Sequence, residues 1–358
     1  MKILITVPIL SPGSGLTRYI FTLCKILHNN NKILVLETHG HSSNDYAKKE
    51  LMDINPGIKF ITTDTKGKIP KYLKSIFITR RFKPDVIVSN YNALTQFVLP
   101  FCKGKAKVAH ILHNDTNDFY RIGAINGNNV DVWIAPTSGI AERFNKYSHN
   151  KYQERIITIS HGVDEASNVE KNHKKQKLEI VFAGVLYEHK GVKVLPKIVE
   201  QLRMRKIDFH LTIIGGGILN DWLHNELKSH INSGHVNMTG ILPHEGVYEY
   251  FQKSDIFLYP THIDAFGLVI TEAMMNGAVP VVTHLPGVTD NLIVNGESGF
   301  LISQDDVAAF VNKIISLNEN RSLLSEFSKR ARNRAEALFS MKVMEEKYRD
   351  LLNSMINE

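Results

Sequence analysis

Residues 255–282 read DIFLYPTHIDAFGLVITEAMMNGAVPVV, and this stretch decides the fold. An apolar strand, SDIFLYP, runs into a polar loop. A helix begins near Leu268, Gly277 closes it, and AVPVVTH returns to the sheet. Strand, short helix, strand is the repeating unit of a parallel sheet, because parallel neighbours need a crossover between them. Asp264 lies before the Phe266-Gly267 turn, and Glu272 lies one turn into the helix. The helix's first amides have no internal acceptor and would face the loop, where they can bind a diphosphate or an anionic sugar oxygen. An ionised carboxylate only accepts hydrogen bonds, so both acids suit ligand hydroxyls. Helix capping alone explains Asp264; it does not readily explain Glu272 followed by AMMNG.

The same alternation extends outward in both directions. LEIVFAG, DFHLTIIGGG and HVNMTG are further strands upstream, with helices expected at 191–206, 220–230, 245–253, 271–277 and 305–317. The first half repeats the pattern: KILITVP, NKILVLETHG, IKFITTD, KPDVIVSN, KAKVAHILHND, VDVWIAPT and IITISHG are strands, and LTRYIFTLCKILHNN is a helix with apolar residues at helical spacing. The polar run EASNVEKNHKKQK, 165–177, reads as a linker. The expected domains are therefore 1–164 and 178–339, with a final helix at about 340–358 that packs back on the first. Two doubly wound α/β domains place ligands at the carboxyl ends of their strands, in a central cleft. No sequence repeat of fixed period accompanies this duplicated architecture.

The 358 residues suit two cores, at 43% hydrophobic and 22% charged. No apolar run approaches the roughly 18 residues of a membrane span. MKILITVPIL has the length of a secretion signal, but no small-residue cleavage pattern follows, and it reads as a buried first strand. Cys24 and Cys102 make no disulfide framework and no CxxC, so a reducing cytoplasm is the expected setting. Residues 1–170 hold 22 Lys or Arg against 14 Asp or Glu, whereas 171–358 hold 21 against 22. Much of that excess is KGKIPKYLKSIFITRRFK, 66–83, which has seven cations, no acid, and Leu73, Ile76, Phe77 and Ile78 among them. The stretch is either a solvated helix with a basic face or a contact for an anionic membrane surface or acceptor, on the inner face of the cell membrane. Nucleic acid is disfavoured, since no zinc finger or RNA-binding signature accompanies it.

Several loops after strands carry candidate chemistry. Gly13 and Gly15, in SPGSGLTR, allow backbone amides to approach an oxyanion, with Arg18 following; a simple tight turn is the alternative. The loop is neither a complete GxGxxG nor a P-loop, which disfavours a Rossmann dehydrogenase. VAHILHNDTNDFY offers His110, His113, Asp115 and Asp118, but three firm metal ligands cannot be named. His110 falls within the strand and suits the core, while His113 stands nearer the strand end. In ISHGVD, Gly162 and Asp164 form a turn. Lys190, in VFAGVLYEHKG, is either a surface lysine or a point charge for phosphate. Gly215, Gly216 and Gly217 need a backbone reason, whether a ligand or a tight turn. No DxD-like pair appears in the second half; Asp305-Asp306 reads as a helix start.

Taken together, these segments resemble a retaining glycosyltransferase of family 4 (glycosyl transferases group 1), with the GT-B architecture of two Rossmann-like doubly wound domains facing a central cleft. The most specific part is Asp264, seven intervening residues and Glu272, with GVTDNLIVNGESGFL after it; LTIIGGG, ISHGVD, VFAGVLYEHKG and the first glycine loop follow the family's order. The resemblance implies that Glu272 holds the donor ribose and that Asp264 contacts the transferred sugar. It implies that the backbone of Phe266, Gly267, Leu268 and Val269 meets sugar and diphosphate, with Gly184, Gly215 and Gly216 lining the donor. Gly13, Gly15 and Arg18 would approach from the first domain, Lys190 would neutralise the departing diphosphate, and His113 would bond the donor sugar. It further implies a metal-independent hexosyl transfer, without cofactor, from a nucleotide diphosphate-sugar, uridine favoured slightly over guanosine. The acceptor would be a hydroxyl of a saccharide or lipid-linked saccharide, in surface polysaccharide, lipopolysaccharide or glycolipid synthesis. A nucleotide-sugar epimerase and a catalytically silent nucleotide-sugar binding protein are the alternatives. Two positions depart from the family: Asp264 stands where glutamate is usual, and Val185 where arginine is usual.

Overall fold

A computed structural model describes residues 1–12, 14–39, 44–166 and 177–357. The chain divides into two units, Met1–Gly162 with Met341–Glu358, and Val163–Ser340.

In unit 1 the chain runs β1 (Lys2–Val7), α1 (Gly15–Leu27), β2 (Lys32–Glu37), α2 (Asp45–Ile54), β3 (Lys59–Thr62) and α3 (Lys68–Phe82). It continues through β4 (Val86–Asn90), α4 (Ala93–Cys102), β5 (Lys107–Ile111), α5 (Asn117–Ala124), β6 (Val132–Ala135), α6 (Ser138–Tyr147) and β7 (Ile156–Thr158). Among the described residues these strands form one parallel sheet, ordered β3-β2-β1-β4-β5-β6-β7. Strands such as Ile3–Val7 and Val86–Asn90 are buried along their whole length, as expected where helices cover both faces of a sheet. Ile3, Ile5, Ile33 and Val88 pack with Tyr19, Ile20 and Leu23 of α1. The last 17-residue helix, Met341–Asn357, belongs to this unit and adds Met344, Tyr348, Leu352 and Met355 to the same core.

Unit 2 opens with β8 (Leu178–Ala183), α7 (Leu195–Met204), β9 (Phe209–Ile214), α8 (Asn220–Glu226), α9 (Lys228–Asn232), β10 (Val236–Gly240) and α10 (His244–Lys253). Then follow β11 (Ile256–Tyr259), α11 (Leu268–Met275), β12 (Val279–Thr283), α12 (Thr289–Leu292), β13 (Phe300–Ile302), α13 (Val307–Glu319) and α14 (Arg321–Phe339); the final helix above is α15. The parallel order is β10-β9-β8-β11-β12-β13.

Some elements differ from the sequence expectation. The helix expected at 191–206 begins only at Leu195, because Gly191 is left-handed (φ +67°) and two short 3-10 turns, Glu188–Lys190 and Val192–Val194, come first. The helix expected at 220–230 breaks at Leu227 into α8 and α9. Phe300–Ile302 adds an edge strand on β12 that the hydrophobic pattern did not disclose. The polar run 165–177 lies mostly outside the described residues.

Both sheets reverse strand order once. In unit 1 the reversal lies between β1 and β4, and in unit 2 between β8 and β11. Open α/β sheets bind ligands beyond the carboxyl ends of such strand pairs. The candidate site is therefore sought in the loops after β8 and β11, and those after β1 and β4.

Candidate functional site

In unit 2 the loops after β8 and β11 are fastened to each other. A Cβ on Gly191 would stand 1.7 Å from the Pro260 carbonyl oxygen, so only glycine permits this approach. His262 N–H and Ile263 N–H donate to the His189 carbonyl at 2.9 and 3.3 Å, and the Thr261 hydroxyl adds a third bond at 3.2 Å. This fastening sets Lys190 Nζ 2.8 Å from Asp264 Oδ2 and 3.3 Å from the Ile263 carbonyl, over the Tyr259 ring. The two charged side chains are 16% and 15% exposed, so the pair is screened little by water.

Asp264 is held on every side. Tyr259 OH donates to Oδ2 at 2.9 Å, and Gly267 N–H and Phe266 N–H donate to Oδ1 at 2.8 and 3.3 Å. Burial would raise its pKa, but Lys190, Tyr259 and the Gly267 amide outweigh burial and hold the carboxyl below its usual value. Asp264 is thus an anion that clamps Lys190 and shapes the left-handed turn at Gly267 (φ +86°). α11 starts at the next residue. Its first amides, on Leu268 and Val269, lie where a helix supplies no acceptor of its own. Glu272 follows one turn later and is 4% exposed, on a helix that also buries Ile270, Ala273 and Met275. The Phe266 side chain is 3% exposed and meets the Phe339 ring edge-on at 6.1 Å, so it serves the core.

The glycine triplet has a packing explanation. A Cβ on Gly215 (φ +136°) would meet the Gly184 carbonyl at 1.9 Å, and one on Gly217 would meet the Leu186 carbonyl at 2.6 Å. Gly216 faces only the flexible Ile241 side chain, at 3.1 Å, and Gly184 itself has ordinary room, 3.6 Å to Tyr259. The loops after β8 and β9 therefore touch backbone to backbone. Val185 is 46% exposed in that region.

In unit 1, Gly15 is the first residue of α1, and a Cβ there would meet nothing within 4 Å. Arg18 is half-buried one turn later; Gly13 lies outside the described residues. The histidines separate into two roles. His110 is 1% exposed and takes a 2.5 Å bond from Gln96 Nε2, making it a core residue. His113, at the end of β5, bonds through Nε2 to Asn90 Oδ1 at 2.9 Å. Asn90 Nδ2 donates to the Thr6 and Val88 carbonyls, which fixes the amide so that Oδ1 faces the ring. Nε2 therefore carries the proton, and Nδ1 is left as an acceptor. Burial, then His161 and His110, push the His113 pKa well down, so the ring is neutral.

Sequence reasoning named His113 but missed Asn90, Tyr19 and His161. The Tyr19 ring lies 4.8 Å from His113 and 4.6 Å from His161, edge-on, and its hydroxyl bonds that of Tyr348. Asn90 gave one signal in advance: a polar residue at the carboxyl end of an apolar strand. Asp115 and Asp118 go elsewhere. Asp115 pairs with Arg143 at 2.7 Å and bonds Tyr120 OH, beside a depression of about 470 Å³ lined by Asn117, Lys146 and Tyr147, while Asp118 pairs with Arg121 at 3.0 Å.

Residues 163–334, almost all of unit 2, match the family model of glycosyl transferases group 1. The fold is GT-B-like, two parallel sheets each flanked by helices. HepE of Anabaena, solved in complex with UDP, superposes with a TM-score of 0.81 at 16% identity, covering 99% of this chain and 100% of that one. Among curated relatives, glycogen synthase of Mycobacterium tuberculosis is 27% identical over 186 residues, 51% of this chain and 45% of its own. The putative colanic acid biosynthesis glycosyltransferase WcaL of Escherichia coli is 27% identical over 185 residues, 50% of this chain and 45% of its own. The chain thus spans under half the length of these two relatives.

Proposed function

We propose that this protein is a retaining glycosyltransferase that moves a sugar from a nucleotide diphosphate-sugar to a hydroxyl of a saccharide or lipid-linked saccharide. The observation that carries the reading is the joining of the loops after β8 and β11. They set a largely buried lysine, the open amides of a helix N-terminus and a carboxylate one turn into that helix at the strand pair where the sheet order reverses. A cation and free amides suit a diphosphate, and an acceptor-only carboxylate suits the paired hydroxyls of a ribose. The match of unit 2 to glycosyl transferases group 1 supports the same assignment. HepE, whose structures hold UDP and UDP-glucose, supports a uridine nucleotide as the first donor to test.

In this mechanism the bond between the anomeric carbon and the diphosphate oxygen breaks as a bond forms to the acceptor oxygen. Negative charge grows on the leaving diphosphate, where Lys190 and the Leu268 and Val269 amides stabilise it. The acceptor proton passes to the departing phosphate, which accounts for retention without a protein nucleophile. Asp264 orients Lys190, and it meets a sugar hydroxyl by giving up the longest of its four protein bonds, that from Phe266 N–H at 3.3 Å. In unit 1 the resemblance assigns His113, Gly15 and Arg18 to the donor; of these the His113 ring, bonded to Asn90 through Nε2, keeps Nδ1 as an acceptor suited to a ligand hydroxyl. The setting is cytoplasmic, in polysaccharide or glycolipid synthesis.

The test is a panel of nucleotide sugars, read by thermal shift and by nucleoside diphosphate release, first without and then with saccharide acceptors. A donor that raises Tm and releases diphosphate only when an acceptor is present is the expected result. Product formed without acceptor identifies an epimerase, and binding without turnover identifies a silent binder; either outcome overturns the proposal.

A further inference from the structure

α3 is built the wrong way round for a helix that covers a sheet. Its buried residues are Ser75, Ile78 and Thr79, two of them small and polar. Its outward face carries Ile69, Leu73 and Phe77, which are 71%, 61% and 62% exposed. Their i, i+4, i+8 spacing stacks them in one row along the helix. α4 adds Phe97 and Phe101, 53% and 63% exposed and again four apart.

The two rows belong to one surface. Tyr72 and Ile76 pack on Leu94, Val98 and Cys102, and the Tyr72 and Phe97 rings stack at 6.4 Å. Arg80 donates to the Phe101 carbonyl through Nε and Nη2, at 3.0 and 2.7 Å, which ties the far end of α3 to α4. The same stretch of chain carries Lys66, Lys68, Lys74, Arg80, Arg81 and Lys83, and neither helix contains an acid. Five large apolar side chains left outward on a cation-rich, acid-free pair of helices depart from an ordinary solvated surface, on which such residues are scattered singly.

We infer that α3 and α4 together form the docking surface for an anionic lipid bilayer, with Ile69, Leu73, Phe77, Phe97 and Phe101 entering the boundary between headgroups and acyl chains and the lysines and arginines meeting lipid phosphates. An apolar stripe bordered by cations is what this interface selects, since each part alone binds weakly. The charge pattern argues against a second copy of the chain. A self-complementary interface would bring these cations, with no acid on either helix, against their own image. Among the described residues no helix is long and apolar enough to cross a membrane, so contact through this face would be peripheral. The inference holds whichever sugar is moved, so vesicle binding and donor binding fail separately.

The experiment is vesicle co-sedimentation of the full chain, with phosphatidylcholine alone or mixed with phosphatidylglycerol. Expected are binding to the mixed vesicles only, weakening as salt rises, and at least a tenfold loss for the variant Leu73→Ser, Phe77→Ser, Phe101→Ser, whose charges are intact. These positions are exposed, so the variant should keep its circular dichroism and its nucleotide-induced thermal shift. No binding by the wild type overturns the inference, and so does undiminished binding by the serine variant. A concentration-dependent dimer that the serine variant abolishes assigns the face to a second copy and overturns it equally.

Discussion

Replacing Asp264 by asparagine tests both what this acid does for the fold and what Lys190 does for the ligand. Asparagine keeps Oδ1, and with it the bonds from Gly267 N–H and Phe266 N–H. Its amide nitrogen replaces Oδ2, so a donor now faces Lys190 Nζ and Tyr259 OH. Removing one partner of a buried ion pair costs roughly 3–5 kcal/mol, and the small remaining exposure of this pair places Asp264→Asn near the lower end, about 3 kcal/mol. For a body of 150–250 residues each kcal/mol moves Tm by about 2–4 °C, so the unit 2 transition should fall by roughly 6–12 °C. UDP supplies anionic oxygens that the freed lysine lacks. A ligand binding only the folded state stabilises by mass action, and the UDP-induced Tm rise should therefore be larger in the variant than in the wild type. Differential scanning fluorimetry with a UDP titration reads both quantities. A loss under about 0.5 kcal/mol would mean that the ion pair contributes little in solution. A variant more weakly stabilised by UDP than the wild type would remove Lys190 from the diphosphate.

Glu272→Ala should weaken UDP at least tenfold, about 1.4 kcal/mol, yet leave binding of 2′,3′-dideoxy-UDP unchanged; equal losses for both nucleotides would detach Glu272 from the ribose. Gly191→Ala should not accumulate as folded protein, since the new Cβ meets the Pro260 carbonyl at 1.7 Å in a left-handed backbone; normal expression and Tm would contradict the loop geometry. Burial lowers His110 and His161 to about 3, so below the unfolded value near 6.5 the unfolded chain binds protons that the folded chain refuses, and stability falls with pH. Each costs about 2 kcal/mol by pH 5, and urea titrations at pH 7 and pH 5 that coincide would show that these rings are not buried neutral. Val185→Arg, at a 46% exposed position, should leave Tm within about 1 °C and tighten UDP roughly fivefold in a salt-sensitive way, about 1 kcal/mol for one added surface cation; unchanged affinity would place Val185 away from the diphosphate.

The sheets were legible because ILITV, ILVL, VIVS and IFLY are almost wholly apolar, broken only by Thr6 and Ser89, as strands buried on both faces tend to be. Phe300–Ile302 was not, because three residues have no period, and the strand exists through its pairing with β12. The start of α7 was hidden by Gly191, whose left-handed φ answers to a carbonyl 69 residues further along the chain. Asp264, Glu272 and Lys190 could be singled out by type and by position after strands. The Lys190–Asp264 bond, 74 residues apart in sequence, could not. Nor could the His113 tautomer, which depends on an asparagine amide fixed by carbonyls of two other strand residues. Side-chain direction at a strand end is tertiary information, and local pattern carries little of it.

Most residues of the candidate site have a place that the fold itself explains. Gly191, Gly215 and Gly217 are demanded by backbone carbonyls at 1.7, 1.9 and 2.6 Å from a Cβ. Asp264 is demanded by the turn before α11 and by the lysine beside it. Even the Phe266 side chain has core work. Glu272 is a carboxylate at 4% exposure one turn into α11, whose other buried residues include Ile270, Ala273, Met274 and Met275. A ligand with hydroxyls to donate would suit an acceptor-only carboxylate at this place. The glycines and the first acid, the more conspicuous in the sequence, therefore discriminate the functional reading poorly, and the Glu272→Ala titration with UDP and its dideoxy analogue tests it directly.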